Sequence, residues 1–396
     1  MNVYMWEVVL SNLDAVQAMQ TSRVCKAAHC AALHLAKHVR PKKTKPDAFT
    51  VSSTNWTHLN KVYDAGVREF IFFAYKIPVG LWFFRALQLV CSLPIRGIVI
   101  NVWRQSYRMQ SNTMHDRQVL DILHAGEYKT TVERLFVDVC GNEPFLLRVD
   151  NSQRLAQIRV IGDFIQVEVP KCLEKLTLSM NISRAMASSL TRLVYLDIYV
   201  DADMLSNVMS LPMLRRARLV VRGDLTTGPV VLPPAMTDLS MSSVARFSTK
   251  IYGPVLRVLE LNLSFADVAI RCDNVMESIT IGGYMCLGRS VHIDFGNLVV
   301  QQLSVHCQDT PFLINVKPNR LYVDSTIGVG DMSFNHAFEL EEGCVVDLVA
   351  TSTGAYLFGT PLRPGLAWHL IGVSKWMSET TTRFQIVKNR QIGRCA

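Results

Sequence analysis

The sequence predicts an α/β chain built as a solenoid. One short strand is stacked many times into a parallel β-sheet horseshoe, with helices on the convex side mainly in the N-terminal half. Three observations predict it. A short apolar pattern returns through most of the 396 residues, and its spacing is nearly constant. The third is charge, which collects at the ends: residues 1–60 carry seven Lys/Arg against three Asp/Glu, residues 361–396 carry six against one, and the net total is +8. About −1 is left for everything between, so the repeating part is not a general phosphate-binding surface.

The pattern is clearest at Cys172 to Asn181, where Leu173, Leu176 and Leu178 precede Asn181. Alternation puts Leu176 and Leu178 on one face of a strand and Lys175 and Thr177 on the other. Such a strand cannot bury its apolar face alone and must stack on copies of itself. Copies begin at Val132, Leu155, Leu173, Leu193, Leu214, Met236, Leu256, Met276 and Val300; from Leu155 the steps are 18, 20, 21, 22, 20, 20 and 24 residues. That range is the one known for leucine-rich repeats. Weaker copies begin at Val67, Ile95, Pro318 and Val345, and Pro94, Pro170, Pro212, Pro234 and Pro254 each stand just ahead of a strand. The solenoid is therefore expected over residues 47–350.

Within it, apolar residues at helical spacing predict helices over Thr57–Asp64, Val79–Ser92 and His115–Ala125, with Gly126 a suitable stop. Beyond residue 173, about a dozen residues separate successive strands, too few for a full helix plus turns. Extended segments, turns or single 3₁₀ turns are expected there. Residues 351–396 form a loop-rich C-terminal cap and basic tail, with a short amphipathic helix over Ala367–Met377 and a last strand over Thr382–Val387.

Residues 1–46 do not follow the repeat. Val9, Leu10, Leu13, Val16, Met19, Val24 and Leu33 fall at helical spacings, with Asp14 and Ser22 suited to N-caps, which predicts two or three short helices. Val9-Leu-Ser-Asn-Leu-Asp14, followed without a gap by Ser22-Arg-Val-Cys-Lys26, resembles the F-box over about 30 residues. The family's leading Leu-Pro falls on Met1-Asn2 and its tryptophan on Ala28. The resemblance implies docking on the Skp1 adaptor of a cullin-type ubiquitin ligase through Val9, Leu10, Leu13, Val16 and Val24. Read without the resemblance, the same helices cap the open end of the solenoid. The run His38 to Pro46, with two prolines and four Lys/Arg, reads as a solvated linker, a targeting patch or a nucleic-acid contact.

No catalytic motif is present, and no enzyme activity or cofactor is expected: G-x-x-x-x-G-K-[ST], H-E-x-x-H and G-x-S-x-G are all missing, and Gly328-Val-Gly330 reads as a turn. Cys25 and His29, then Cys30, His34 and His38, lie at i, i+4, but one continuous helix rarely closes a tetrahedral metal site. Ten cysteines without a C-x-x-C pair predict free thiols in a reducing, intracellular compartment, cytoplasmic or nuclear. Phe70 to Val99 is apolar but interrupted by Lys76, Pro78, Arg85, Pro94 and Arg96, so no membrane span is expected.

What remains is the polar side of the strands. Lys175, Tyr195, Asp197, Tyr199, Arg216, Arg218, Asp238, Glu260, Gln302, Arg320 and Tyr322 are expected on one concave face. Tyr and Arg are the types that most often anchor protein interfaces. The expectation is a non-enzymatic recognition protein, by resemblance the substrate receptor of an Skp1–cullin–F-box ubiquitin ligase, with an unidentified protein as target. Alternatives are a repeat scaffold or structural subunit of a larger assembly, and a nucleic-acid-associated protein using both basic ends.

Overall fold

The computed structural model describes residues 48–74, 80–102, 113–139, 145–162, 165–179, 181–226, 228–273, 275–282, 291–306, 312–324, 342–350, 366–376 and 379–388. The chain divides into two compact units, residues 1–180 and 181–396. Both are dominated by parallel β-sheet with few helices, a solenoid-like α/β arrangement.

In the first unit the strands β1 (Ala48–Val51), β2 (Glu69–Ala74), β3 (Gly97–Val102) and β4 (Arg134–Asp138) pair in parallel with their successors, and β4 continues to β6 (Gln157–Ile161) and β8 (Lys175–Leu178). The register joins Phe49, Phe70, Ile98, Leu135, Ile158 and Leu176 in one row and Val51, Phe72, Ile100, Val137, Val160 and Leu178 in the next. None of these twelve is more than 4% exposed, so each rung's apolar face is buried by its neighbours. β1 is a rung the sequence reading did not include.

Three helices back this sheet, as expected: α1 (Leu59–Asp64) after a 3₁₀ turn at Trp56–His58, α2 (Leu81–Cys91) and α3 (Thr113–Ala125). In α2, Phe83, Leu87 and Val90 follow the i, i+4, i+7 spacing and are fully buried, and Phe83 meets Phe72 edge to face at 5.4 Å. Behind α3, the Tyr128 hydroxyl donates to the Leu123 carbonyl at 3.0 Å, satisfying the one polar atom of a fully buried ring. Cys91 lies beside it, and burial pushes its thiol up to about 12, which leaves it unreactive. A second, two-stranded sheet forms where the connections are shorter, β5 (Phe145–Arg148) with β7 (Ile165–Glu168).

In the second unit β9 (Tyr195–Asp201), β10 (Arg216–Arg222), β12 (Asp238–Tyr252), β13 (Val258–Arg271), β14 (Met276–Gly282), β15 (Val291–His306), β16 (Phe312–Asp324) and β17 (Val345–Ala350) run parallel in that order. One core row is Leu196, Ala217, Leu239, Leu259, Ile279, Leu303, Leu321 and Val346. The pairing of Leu321 with Val346 sets the last rung two residues away from the frame expected from Val345.

Several strands turn a corner and continue into a second parallel layer. Register shifts at Ser243/Arg246 and Asp294/Val299 mark two corners. Past the first, the later part of β12 pairs with β11 (Val230–Val231) and with the later part of β13, which pairs with the part of β15 ahead of the second. Phe247, Ile251, Val268, Ile270 and Ile293 point between the layers and are fully buried. Asn181 ties the start of this unit to β9: its Oδ1 accepts the Asp201 N–H at 2.6 Å, and its Nδ2 donates to the Asp201 carboxylate.

Two further expectations are corrected. The connections just after residue 180 hold short α-helices, α4 (Arg184–Ser189) and α5 (Leu205–Met209), not only turns and 3₁₀ geometry. Ser183 explains the first, since its Oγ accepts the Met186 N–H at 3.1 Å and caps a helix that is otherwise too short to hold. The region Ala367–Met377, expected as a helix, is the strand β18 (Leu366–Trp376). It pairs antiparallel with β19 (Glu379–Lys388), which pairs antiparallel with β17, and a register shift at Leu370/Gly372 absorbs its glycine. Partner hydrogen bonds along the strand override a helical spacing that is ambiguous over eleven residues.

Candidate recognition face

The outward positions of the second unit fall into rows set by strand register. The first contains Tyr195, Arg216, Asp238, Val258, Ser278, Gln302 and Arg320; the second contains Asp197, Arg218, Ser240, Glu260, Thr280, Ser304, Tyr322 and Asp347. Ten of the eleven predicted face residues, all but Lys175 and including Tyr199, therefore lie on one surface. Adjacent rungs stand about 5 Å apart. Lys175 is exposed on the outward side of β8 in the first unit, in register with Gln157 and Arg134.

Many of these side chains are already tied to a neighbour. Arg216 Nε stands 3.5 Å from an Asp238 carboxylate oxygen. Arg222 lies over the Tyr199 ring, 4.7 Å from its centre, and Tyr199 is 40% exposed. Asn262 donates to Glu260 at 3.0 Å, and its side chain crosses the space that a Cβ at Gly282 would fill. His306 and Tyr322 rings lie 5.9 Å apart.

The end of this surface was not foreseen. Asp347 continues the second row, yet it is 1% exposed. Arg320 Nη2 donates to it at 2.6 Å from β16, and Arg383 Nε at 2.5 Å from the opposing position on β19. Burial alone would raise the carboxyl's pKa; hydrogen bonds and charge from Arg383 and Arg320 outweigh it and hold the group below the usual carboxylate range. Arg320, predicted to contact a target, thus serves as one arm of this clamp.

The first unit presents a different chemistry. Ile71, Val99 and Phe136 are consecutive in register on its outward side and half-buried, followed by Arg159 and Thr177. Above them Glu69 bonds Arg134 across the intervening rung, whose residue is Gly97. A Cβ at Gly97 would come within 3.1 Å of Glu69 Cγ, so the missing side chain is what lets the carboxylate lie over that rung. Below them Asp138 has its pKa raised by burial, opposed by Arg159.

Among the described residues no group of three His, Cys, Asp or Glu side chains is placed to hold a metal ion, and no helix is long and apolar enough to cross a membrane. Cys91, Cys172 and Cys344 are free thiols. The positions expected to dock an adaptor, Val9, Leu10, Leu13, Val16 and Val24, the cysteine–histidine spacing of residues 25–38 and the turn expected at Gly328-Val-Gly330 lie outside the described residues. Compared with models of known families and with curated proteins, the chain matches none.

Proposed function

We propose that the chain is a non-enzymatic protein-recognition module: an F-box-like N-terminus feeding a leucine-rich-repeat solenoid that holds a protein target on its outward sheet face. In this reading it is the substrate receptor of an Skp1–cullin–F-box ubiquitin ligase. Its role is proximity, raising the target's effective concentration beside a ligase bound elsewhere. The observation that supports it is the second unit's ordered outward surface, where Tyr, Arg, Asp and Glu side chains stand at strand spacing on a rigid sheet. Rigid elements lose little entropy when a partner docks, and Tyr and Arg supply the anchoring contacts.

The full-length chain co-expressed with Skp1 from a matching host tests the adaptor half. Retention of Skp1 by the wild type and its loss in a Leu10→Asp/Leu13→Asp variant support the receptor reading. No retention by either chain overturns it. One observation favours the second reading, a structural subunit: the outward row Ile71, Val99 and Phe136 is apolar, as permanent interfaces are.

A further inference from the structure

Within that recognition reading, we infer that β10 and its neighbour β9 bind an extended acidic peptide segment, one whose carboxylates recur at alternate residues. The stretch Arg215-Arg-Ala-Arg-Leu-Val-Val-Arg222 puts four arginines in eight residues, all exposed. Arg216, Arg218 and Arg222 share the outward face because they are separated by even numbers of residues along one strand. Two residues of strand span about 6.6 Å, the same repeat that separates carboxylates at alternate positions of an extended peptide.

Carboxylates already present determine which cations are available. Asp238 accepts the Thr237 hydroxyl at 2.5 Å and faces Arg216, and Asp201 is held by Asn181. Arg218 and Arg222 make no ion pair among the described residues, although Asp197 stands opposite Arg218 and Asp201 opposite Arg222 in the pairing with β9. Tyr199 holds the Arg222 guanidinium in place, so less side-chain freedom is lost when its planar fork meets a carboxylate. The interleaved acids choose between partner classes. A nucleic-acid backbone carries a charge at every step and would meet Asp197, Asp201 and Asp238, whereas separate carboxylates can face the arginines and leave neutral residues over the acids.

Fluorescence anisotropy of the full-length protein with a labelled twelve-residue alternating Glu-Ser peptide, with labelled twelve-residue oligothymidylate as competitor class, tests this at low salt. Expected is peptide binding that weakens about tenfold in Arg218→Ala and again in Arg222→Ala, the scale of one lost charge-assisted pair. Arg257→Ala, which removes an exposed arginine paired with Glu277 elsewhere, leaves the affinity unchanged, and thermal midpoints confirm that the variants are folded. No binding, an equal loss in Arg257→Ala, or tighter binding of the oligothymidylate overturns the inference. None of these outcomes touches Skp1 retention, so the receptor reading and this inference fail separately.

Discussion

The first unit backs much of its sheet with helices, while the later part of the second unit backs its sheet with more strand. The difference lies in the room between rungs. From Val67 to Ile95 the chain has 28 residues and from Ile95 to Val132 it has 37, enough for α2 and α3 with their turns. The steps of 20 to 24 residues from Leu173 onward leave too little for helices of that length: the first two hold only the short α4 and α5, and between Met236 and Val300 the return path is extended and pairs with its neighbours. An 11-residue helix rises about 16 Å, a distance that about five residues of strand also cover. A shorter repeat therefore keeps a two-layer core by trading helix for strand.

The two backings can be compared by removing one aromatic from each. Phe83→Ala on α2 and Phe247→Ala on the outer layer of β12 both empty a fully buried site. Each is expected to cost about 3–5 kcal/mol. Urea unfolding with hydrogen exchange should place the Phe83→Ala loss in residues 1–180 and the Phe247→Ala loss in residues 181–396. If either variant loosens both units equally, the comparison between them breaks.

A smaller effect is expected where the strand-backed stack ends. Asp347→Asn removes the charge that holds Arg320 and Arg383, at a cost of about 1–3 kcal/mol near neutral pH. In the wild type this carboxyl titrates below its unfolded value of about 3.9, so its stabilisation is complete above that pH and is lost as pH falls through the folded value. Urea midpoints measured from pH 5 to pH 2 should fall less steeply in Asp347→Asn than in the wild type. Parallel curves would mean that the two arginines contribute nothing through this group.

The smallest effect sharpens the boundary between the two kinds of backing. Ser183→Ala removes the cap of the six-residue α4, which sits in a connection near the length limit for a helix. About 1 kcal/mol should be lost, with exchange protection falling in Arg184–Ser189 and unchanged in β9. Loss of protection in β9 as well would make this helix part of the sheet's core packing.

The strands of the stack were legible because alternation fixes which side chains enter the core, and a one-residue error would expose every leucine. Their inward residues, from Leu135 and Leu176 to Leu303 and Leu321, sit where the pattern puts them. The second layer left a fainter trace. Phe247, Thr249 and Ile251 alternate with Arg246, Ser248 and Lys250, but the segment continues directly from the preceding strand with no break to announce it. β18 was misread because apolar residues over eleven positions fit a helix as well as a strand, and only pairing with β19 decides. Tyr195, Arg216 and Tyr322 were placed on the outward face by periodicity alone. The clamp at Asp347 was not legible, since Arg383 lies 36 residues away and nothing local marks it as a partner.

The antiparallel pairing of β19 on β17 bears on how such molecules avoid polymerising. Stacked parallel rungs leave at their end a strand whose unpaired backbone groups match any further rung, including the first rung of another copy, and a head-to-tail contact of that kind does not close on itself. β19 occupies those groups on β17 while running the opposite way, and Arg383 fixes it there through Asp347. Growth by the parallel rule stops at β17. A further parallel rung cannot pair with β17, because β19 already covers that edge.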